Sequence, residues 1–405
     1  MEPVYITGSG IISAIGVGKE ETLAALQSGT TGIGKMRYLA SRHDDLPVGE
    51  VQLSNNEMMQ LLGISYDEQL TRSALMGRIA LREALQEAQL EGDALHAVPF
   101  VSATTVGGMD RRETYYAQEP DCDALHASIA THHCGTCTEM IAEPFGPFAS
   151  LATVSTACSS ATNAIITAAN MLRCGLADIV IAGGAECLTK FHLNGFNALM
   201  ILDHEQCRPF DRDRAGLNLG EGAAYLVLES AKSIQQRGVT PLARLSGYGN
   251  ACDAFHQTAS SPNGDGAYHA MQEALQSAGL TPADIDYINA HGTGTINNDA
   301  SESHAIQRLF GSNLPPVSST KSFTGHTTSA SGSIEAVFCL LALRHQFLPP
   351  NINWHNPMED GIIPITQYPS RNTQHPSPIT HILSNAFGFG GNDSSIILSK
   401  GKSDE

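Results

Sequence analysis

A chain of 405 residues, 42% hydrophobic and 16% charged, is long enough for two domain-sized units or one large α/β body with an ordinary core. Its formal charge of −18, with no lysine- or arginine-rich run, argues against nucleic acid, and no window approaches eighteen consecutive apolar residues, so no membrane span is expected. The opening Met-Glu-Pro-Val-Tyr-Ile lacks the basic segment of a signal peptide, and nine irregularly spaced cysteines suit a reducing compartment, so a cytoplasmic protein is expected.

Val4-Tyr-Ile-Thr-Gly-Ser-Gly-Ile-Ile-Ser reads as a buried strand running into Gly8 and Gly10, which suggests a dinucleotide fingerprint. Ser13 stands where the third glycine belongs, and no acidic residue closes a second strand, so the strand is read as structural. Residues 71 to 108 then read as a helix around Ala80-Leu-Arg-Glu-Ala, a strand at Ala97-Val-Pro-Phe-Val-Ser, and Gly107-Gly108. Further on, His132-His133-Cys134-Gly-Thr-Cys137 has no second cysteine pair at finger spacing, so it is read as a loop near an interface and no metal site is assigned.

In Ala152-Thr-Val-Ser-Thr-Ala-Cys158-Ser-Ser-Ala-Thr-Asn a short β-branched run breaks into small residues and then turns helical, until Gly175 stops the helix. Ser159 and Ser160 are placed to cap the first turn, which puts Cys158 at a helix N-terminus, where the dipole favours a thiolate nucleophile. Arg208-Pro-Phe-Asp-Arg-Asp-Arg-Ala-Gly mimics the start of a calcium loop, but Ala215 and Gly222 hold two positions that need ligands.

The earlier phrases then return. Ala270-Met-Gln-Glu-Ala-Leu-Gln-Ser-Ala-Gly-Leu leads through a strand at Ile285 into His291-Gly-Thr-Gly-Thr, about 190 residues after its counterpart. The strand and helix around Cys158 are echoed by Val317-Ser-Ser-Thr, the turn at His326, and the apolar helix from Ile334. A duplicated α/β half is the economical reading: residues 1–249 carry the cysteine and 250–405 both histidines. The first half carries an insertion at about 109–150 that is a candidate for partner contact, with Arg111 and Arg112 as its candidate anion contacts. Cys158 and His326 occupy equivalent turns, His291 ends a related strand, and Asn385-Ala-Phe-Gly-Phe-Gly-Gly-Asn offers backbone N–H groups to a reacting carbonyl.

The Cys158 turn, His-Gly-Thr-Gly-Thr at 291, Lys-Ser-Phe-Thr-Gly-His at 321–326 and Gly-Phe-Gly-Gly at 388–391, in order and over nearly the whole chain, resemble a β-ketoacyl-[acyl-carrier-protein] synthase of the Cys-His-His class. The resemblance implies an α/β thiolase-like fold, two duplicated halves in five α/β/α/β/α layers. It implies that Cys158 takes the acyl chain as a thioester, while His291 and His326 activate a malonyl thioester and stabilise the enolate left when carbon dioxide departs. The backbone N–H groups of Cys158 and Phe389 would form an oxyanion hole with Phe389 as its gate, Lys321 and Glu302 would be the supporting pair that orders the histidines, and Thr293, Thr295, His256 and Thr258 would line the pantetheine arm. No cofactor of its own is implied, because the substrates ride on the phosphopantetheine of an acyl carrier protein. A homodimer and a heterodimer with a chain-length-factor paralogue both fit the resemblance.

A thiolase would carry a second cysteine near the C-terminal glycine turn, and an initiating ketosynthase an asparagine in place of His326. A cysteine hydrolase gives no reason for two histidines. A non-catalytic chain-length factor usually loses the nucleophile, which is present here. The runs Leu188–Met200 and Gly249–Thr258 look more like ketosynthases of aryl polyene and flexirubin pigment clusters than like fatty-acid enzymes.

Overall fold

The computed structural model describes residues 2–67, 69–115, 128–367 and 378–401. Among these the strands are β1 (Val4–Ser13), β2 (Gly16–Val17), β3 (Ile33–Gly34), β4 (Val48–Gly49), β5 (Pro99–Ala103), β6 (Ser150–Val154), β7 (Ile179–Glu186), β8 (Gly222–Ser230), β9 (Ala243–Cys252), β10 (Tyr287–Asn289), β11 (Val317–Ser318), β12 (His381–Gly388) and β13 (Asn392–Lys400). No helix among the described residues is long and apolar enough to cross a membrane.

The duplication is visible in strand order and polarity. In the first half the order is β6-β5-β7-β8-β1, with β5 parallel to β6 and β7, and β8 antiparallel to β7 and β1. In the second it is β11-β10-β12-β13-β9, with β10 parallel to β11 and β12, and β13 antiparallel to β12 and β9. Each half therefore places its own first to fifth strands in the order 3-2-4-5-1 with the same directions. The halves join where β1 meets β9 antiparallel, Val4 opposite Leu245 and Ile6 opposite Ala243, so one hydrogen-bonded ladder runs through both.

Three apolar layers separate the helices from the strands. Helices Ser160–Arg173 and Ser331–His345 lie between the two halves in a shared core with Val101, Leu226, Tyr287 and Ile396. The second of these has buried residues on every face, as a helix enclosed on all sides must. Arg72–Ala88 and Cys134–Ala142 cover the outer face of the first half, and Asp265–Ala278 and Ile296–Phe310 that of the second. The five-layer α/β/α/β/α arrangement follows.

Gly8 and Gly10 have a packing role rather than a nucleotide one. A Cβ on Gly8 would lie 2.3 Å from the Ala84 carbonyl oxygen, and one on Gly10 2.0 Å from that of Ala80, so only glycine lets the outer helix sit directly on β1. The second half repeats the device: at Gly247 and Gly249 the distances are 2.3 Å to Ala274 O and 2.2 Å to Ala270 O. The expected division after residue 249 falls inside β9, so taking whole elements we place it in the connection 238–242, between the helix Ala231–Arg237 and β9. Residues 116–127 of the expected insertion lie outside the described residues.

Candidate active site

Cys158, the candidate nucleophile, sits in a turn made by small residues. Between β6 and the helix Ser160–Arg173, Ala157 takes φ +52°, a left-handed conformation that an alanine adopts at a cost and only when its surroundings hold it there. Ser160 Oγ donates to Ala157 O at 2.6 Å and accepts from the Thr156 N–H at 2.8 Å, while Ser159 Oγ lies 2.8 Å from Thr156 O. The serines thus fasten the turn from inside. They do not cap the helix, which has no side-chain cap bond, contrary to the sequence expectation. The stop at Gly175 is present, with φ +67° and its N–H on Leu172 O.

Burial pushes the Cys158 thiol up to about 11; the Lys321 ammonium and the Phe389 N–H pull it down, and Glu186 and Glu335 push it further up. The thiolate expected from the helix N-terminus is therefore not the resting form. The dipole argument took no account of desolvation, because a sequence does not show that Cys158 is 5% exposed.

Two imidazoles converge on this thiol from the second half. His291 follows β10, and His326 follows the short helix Lys321–Thr324; their ring centroids are 5.3 Å apart with planes at 84°. Both rings are held well below the usual imidazole range, first by burial and then by the Lys321 ammonium, so both are neutral. His326 Nδ1 is 3.0 Å from Ser331 Oγ, which leaves Nε2 as the nitrogen available to the cleft. His291 Nδ1 is buried with no hydrogen-bond partner among the described residues.

The expected pair Lys321–Glu302 does not form. Lys321 Nζ meets Glu335 Oε1 at 2.6 Å with side chains 2% and 4% exposed, a buried ion pair between residues fourteen apart, the second of them on the central helix Ser331–His345. Glu302 instead accepts the His291 N–H at 2.9 Å, the Gly292 N–H at 2.7 Å and Asn385 Nδ2 at 3.1 Å. It fixes the backbone on which His291 rides, and burial pushes its carboxyl up to about 7. Asp299 does the same for the next residues, accepting from the N–H groups of Thr293, Gly294 and Phe210. The calcium-like Arg208–Gly216 segment thereby clamps the histidine loop, and Arg214 donates to the Thr295 and Ile296 carbonyls.

Phe389-Gly390-Gly391 is the turn that joins β12 to β13, with Gly390 and Gly391 at φ +85° and +77°. The Phe389 N–H reaches Cys158 Sγ, and its ring stacks on Phe196 at 5.7 Å and 20°. Around these groups opens a cleft with about 900 Å³ of unfilled space, mouth included, lined by Cys158, His291, His326, Thr293, Thr295 and Thr258 among others. His256 does not join it: the side chain is exposed and its Nδ1 accepts the Thr258 N–H at 3.2 Å. The resemblance had implied otherwise. His133 caps the helix Cys134–Ala142, and Cys137 is buried in the core beneath it.

Three groups escaped the sequence reading. Glu335 was hidden inside an apolar helix; Asn392 ends the quoted glycine turn and was read only as part of it; Asp393 lies buried beside Asp253 and Glu302 and is pushed up to about 8.

The pattern of the β-ketoacyl synthase N-terminal domain matches residues 1–233, and that of the β-ketoacyl synthase C-terminal domain residues 242–355. A 3-oxoacyl-[acyl-carrier-protein] synthase 2 of Staphylococcus aureus (strain N315) is 32% identical over 410 residues, covering 98% of each chain. Among solved structures, the ishigamide ketosynthase/chain length factor superposes with a TM-score of 0.91 at 31% identity, over 99% of this chain and 100% of that one. The type II polyketide ketosynthase AntDE, in complex with its acyl-carrier protein AntF and bound to the hexaketide, gives 0.85 at 26% identity, over 99% and 100%.

Proposed function

The chain belongs to the β-ketoacyl synthase family of acyltransferases, and from that premise we propose that it is a 3-oxoacyl-[acyl-carrier-protein] synthase in which Cys158, His291 and His326 carry the decarboxylative Claisen condensation. The observation that carries this reading is the meeting of one thiol, one backbone N–H aimed at its sulfur and two neutral imidazoles in a single cleft.

In the first step Cys158 Sγ adds to the thioester carbonyl of an acyl-carrier. The tetrahedral oxyanion accepts the N–H groups of Cys158 and Phe389, and the carrier thiol leaves with the proton that the cysteine gave up. A malonyl-carrier then enters past Thr293, Thr295 and Thr258. Its bond to the carboxylate breaks, carbon dioxide departs, and the thioester oxygen takes the negative charge as an enolate, accepting hydrogen bonds from His291 and His326. Neutral imidazoles suit this step, since a cation beside the carboxylate would hold the charge that has to leave. The enolate carbon attacks the acyl thioester, the Cys158 thiolate leaves and takes up a proton, and the product is a 3-oxoacyl-carrier. Lys321 and Glu335 position the histidines through their buried charge, and Glu302 through the backbone.

An acyl carrier protein is the partner this chemistry requires. The helix Met109–Tyr115, where Arg111 stacks 5.6 Å over Tyr115, begins the segment that we assign to carrier contact. A second subunit is expected along β6, an edge strand whose Ser150, Leu151 and Ala152 are exposed. Whether a second copy or a chain-length-factor-like paralogue, it would pair with that edge. The acyl chain is read as a polyene-type polyketide intermediate from the runs at 188–200 and 249–258.

Intact-protein mass after incubation with acyl-carriers tests the reading. The wild type should gain one acyl group, Cys158→Ala none, and His291→Ala and His326→Ala should still be acylated while losing release of carbon dioxide from malonyl-carrier. A Cys158→Ala protein that still elongates would end it.

A further inference from the structure

Between the nucleophile turn and the glycine-rich turn lies a polar knot that the reaction as described does not use. Asn392, the first residue of β13, directs its side-chain oxygen at three donors: Ser159 Oγ at 2.8 Å, Asn163 Nδ2 at 2.7 Å and Asn250 Nδ2 at 3.1 Å. Asn163 Nδ2 also donates to Thr156 Oγ1 at 2.9 Å, and Asn163 Oδ1 accepts from Ser394 Oγ at 2.8 Å. Thr156, Ser159 and Asn163 bracket Cys158 on one side of the knot. Asn392 and Ser394 continue the Phe389 turn on the other, and Asn250 on β9 closes it.

Besides this knot, the Phe389 N–H on Cys158 Sγ links the two turns directly. They belong to different halves of the duplicated fold, and they touch where a Cβ on Gly388 would fall 3.0 Å from Thr156 O and 3.2 Å from Ser159 Oγ. Yet the oxyanion hole takes one N–H from each: Cys158 from the first turn and Phe389 from the second. Two donors act together only if their spacing is held to a few tenths of an ångström. Phe389 lies three residues before Asn392, in a turn tied to its own half by Gly390 N–H on Gln257 O at 2.8 Å and by Asp253 N–H on Gly391 O at 2.8 Å. Asn392 adds the tie toward the nucleophile turn.

We propose that Asn392 is a positioning residue that locks the Phe389 turn to the Cys158 turn and so sets the geometry of the oxyanion hole. The proposal rests on the ketosynthase reading and adds a consequence that reading does not contain. Steps through a tetrahedral centre at the Cys158 thioester depend on the lock; steps that use only the histidines do not, and ionisation of the thiol depends on it only through the Phe389 N–H.

The test separates three reactions of the full chain: acylation of Cys158 by acyl-carrier, release of carbon dioxide from malonyl-carrier alone, and alkylation of Cys158 by iodoacetamide. Asn392→Leu keeps the branching of the side chain and removes the acceptor. It should slow acylation about 10- to 100-fold in kcat with KM within about twofold, less than the full loss of an oxyanion donor because the N–H is displaced and not deleted. Carbon dioxide release should stay within about twofold, and alkylation, which feels the turn only through the Phe389 N–H on the sulfur, should fall far less than acylation. Asn392→Asp, which keeps an oxygen for the same three donors, should restore acylation to within about threefold of wild type. Acylation by Asn392→Leu at near the wild-type rate would overturn the proposal, as would an Asn392→Asp protein as slow as the leucine variant. A parallel fall in all three reactions would reduce the knot to a structural role. A wild-type chain that takes no acyl group at all would sink the ketosynthase reading first, and that outcome is distinct from these.

Discussion

Replacing Asp393 by asparagine should stabilise the protein, and by an amount that grows with pH. Asp393 is 4% exposed and pushed from an ordinary value of 3.8 up to about 8, by burial first and then by the carboxylates of Asp253 and Glu302. Asp253 accepts the Ser261 N–H at 2.6 Å, Ser261 Oγ at 2.7 Å and the Gly266 N–H at 3.0 Å. Asp393 therefore holds a proton in the folded state that it gives up in the unfolded one. A group raised in this way contributes stability that is fully present below about pH 4 and is lost as pH rises through about 8. The interval corresponds to on the order of 5 kcal/mol at 1.36 kcal/mol per pH unit, and relaxation of the three coupled carboxyls brings the expected effect to about 2–3 kcal/mol. Asparagine has the same shape, never ionises and can donate to Asp253. Urea unfolding midpoints of the two proteins should nearly coincide at pH 4.5, diverge in favour of Asp393→Asn up to about pH 8, and keep a constant gap above it. A gap that does not change with pH, or one that favours the wild type at pH 8, would refute the argument.

Two further outcomes follow from the charges around the thiol. With Cys158 pushed up to about 11, its alkylation by iodoacetamide should still be accelerating between pH 8 and 10; a rate that levels off by pH 7.5 would restore the helix-terminus thiolate. Lys321→Met alone should destabilise by about 3–5 kcal/mol because it strands Glu335, while Lys321→Met with Glu335→Leu should recover most of that loss. In the double variant the histidines lose the ammonium that helps hold them neutral, so the acid limb of carbon dioxide release should move to higher pH. An unmoved acid limb would show that burial alone sets their state.

The duplicated fold and the places of the three groups proposed to react were legible because each is written in short range. Alanines four apart over glycines two apart mark a helix lying on a strand, and a histidine or cysteine between a β-branched run and a glycine turn marks a strand end. What failed depends on the third dimension. Lys321 has two carboxylates within twenty residues, Glu302 before it and Glu335 after it, and no spacing rule says which helix turns its acid inward toward the ammonium. Cys158 was placed correctly in its turn and wrongly in its charge state, since a dipole shows in the local pattern and desolvation does not. His256 came with Thr258 from the resemblance, but in an exposed loop one residue can face the cleft while the next but one faces water.

The duplication also explains why one half supplies the nucleophile and the other both donors. Cys158 after β6 and His326 after β11 are equivalent, and so are the ends of β5 and β10, where the first half has Thr104 and Thr105 in place of Ala290 and His291. Those threonines serve Glu186, at the end of β7, whose carboxylate accepts Thr104 Oγ1 at 2.8 Å, Thr105 N–H at 2.9 Å and Val106 N–H at 3.1 Å, together with Ser329 Oγ. The strand equivalent to β7 is β12, which ends instead in the Phe389 turn. In the first half, then, a saturated carboxylate fills the place where the second half keeps mobile glycines. A buried anion there raises the Cys158 thiol, and the Lys321 ammonium opposes it. The nucleophile stands between the two, protonated at rest and within reach of a cation that favours the thiolate when the acyl thioester is broken.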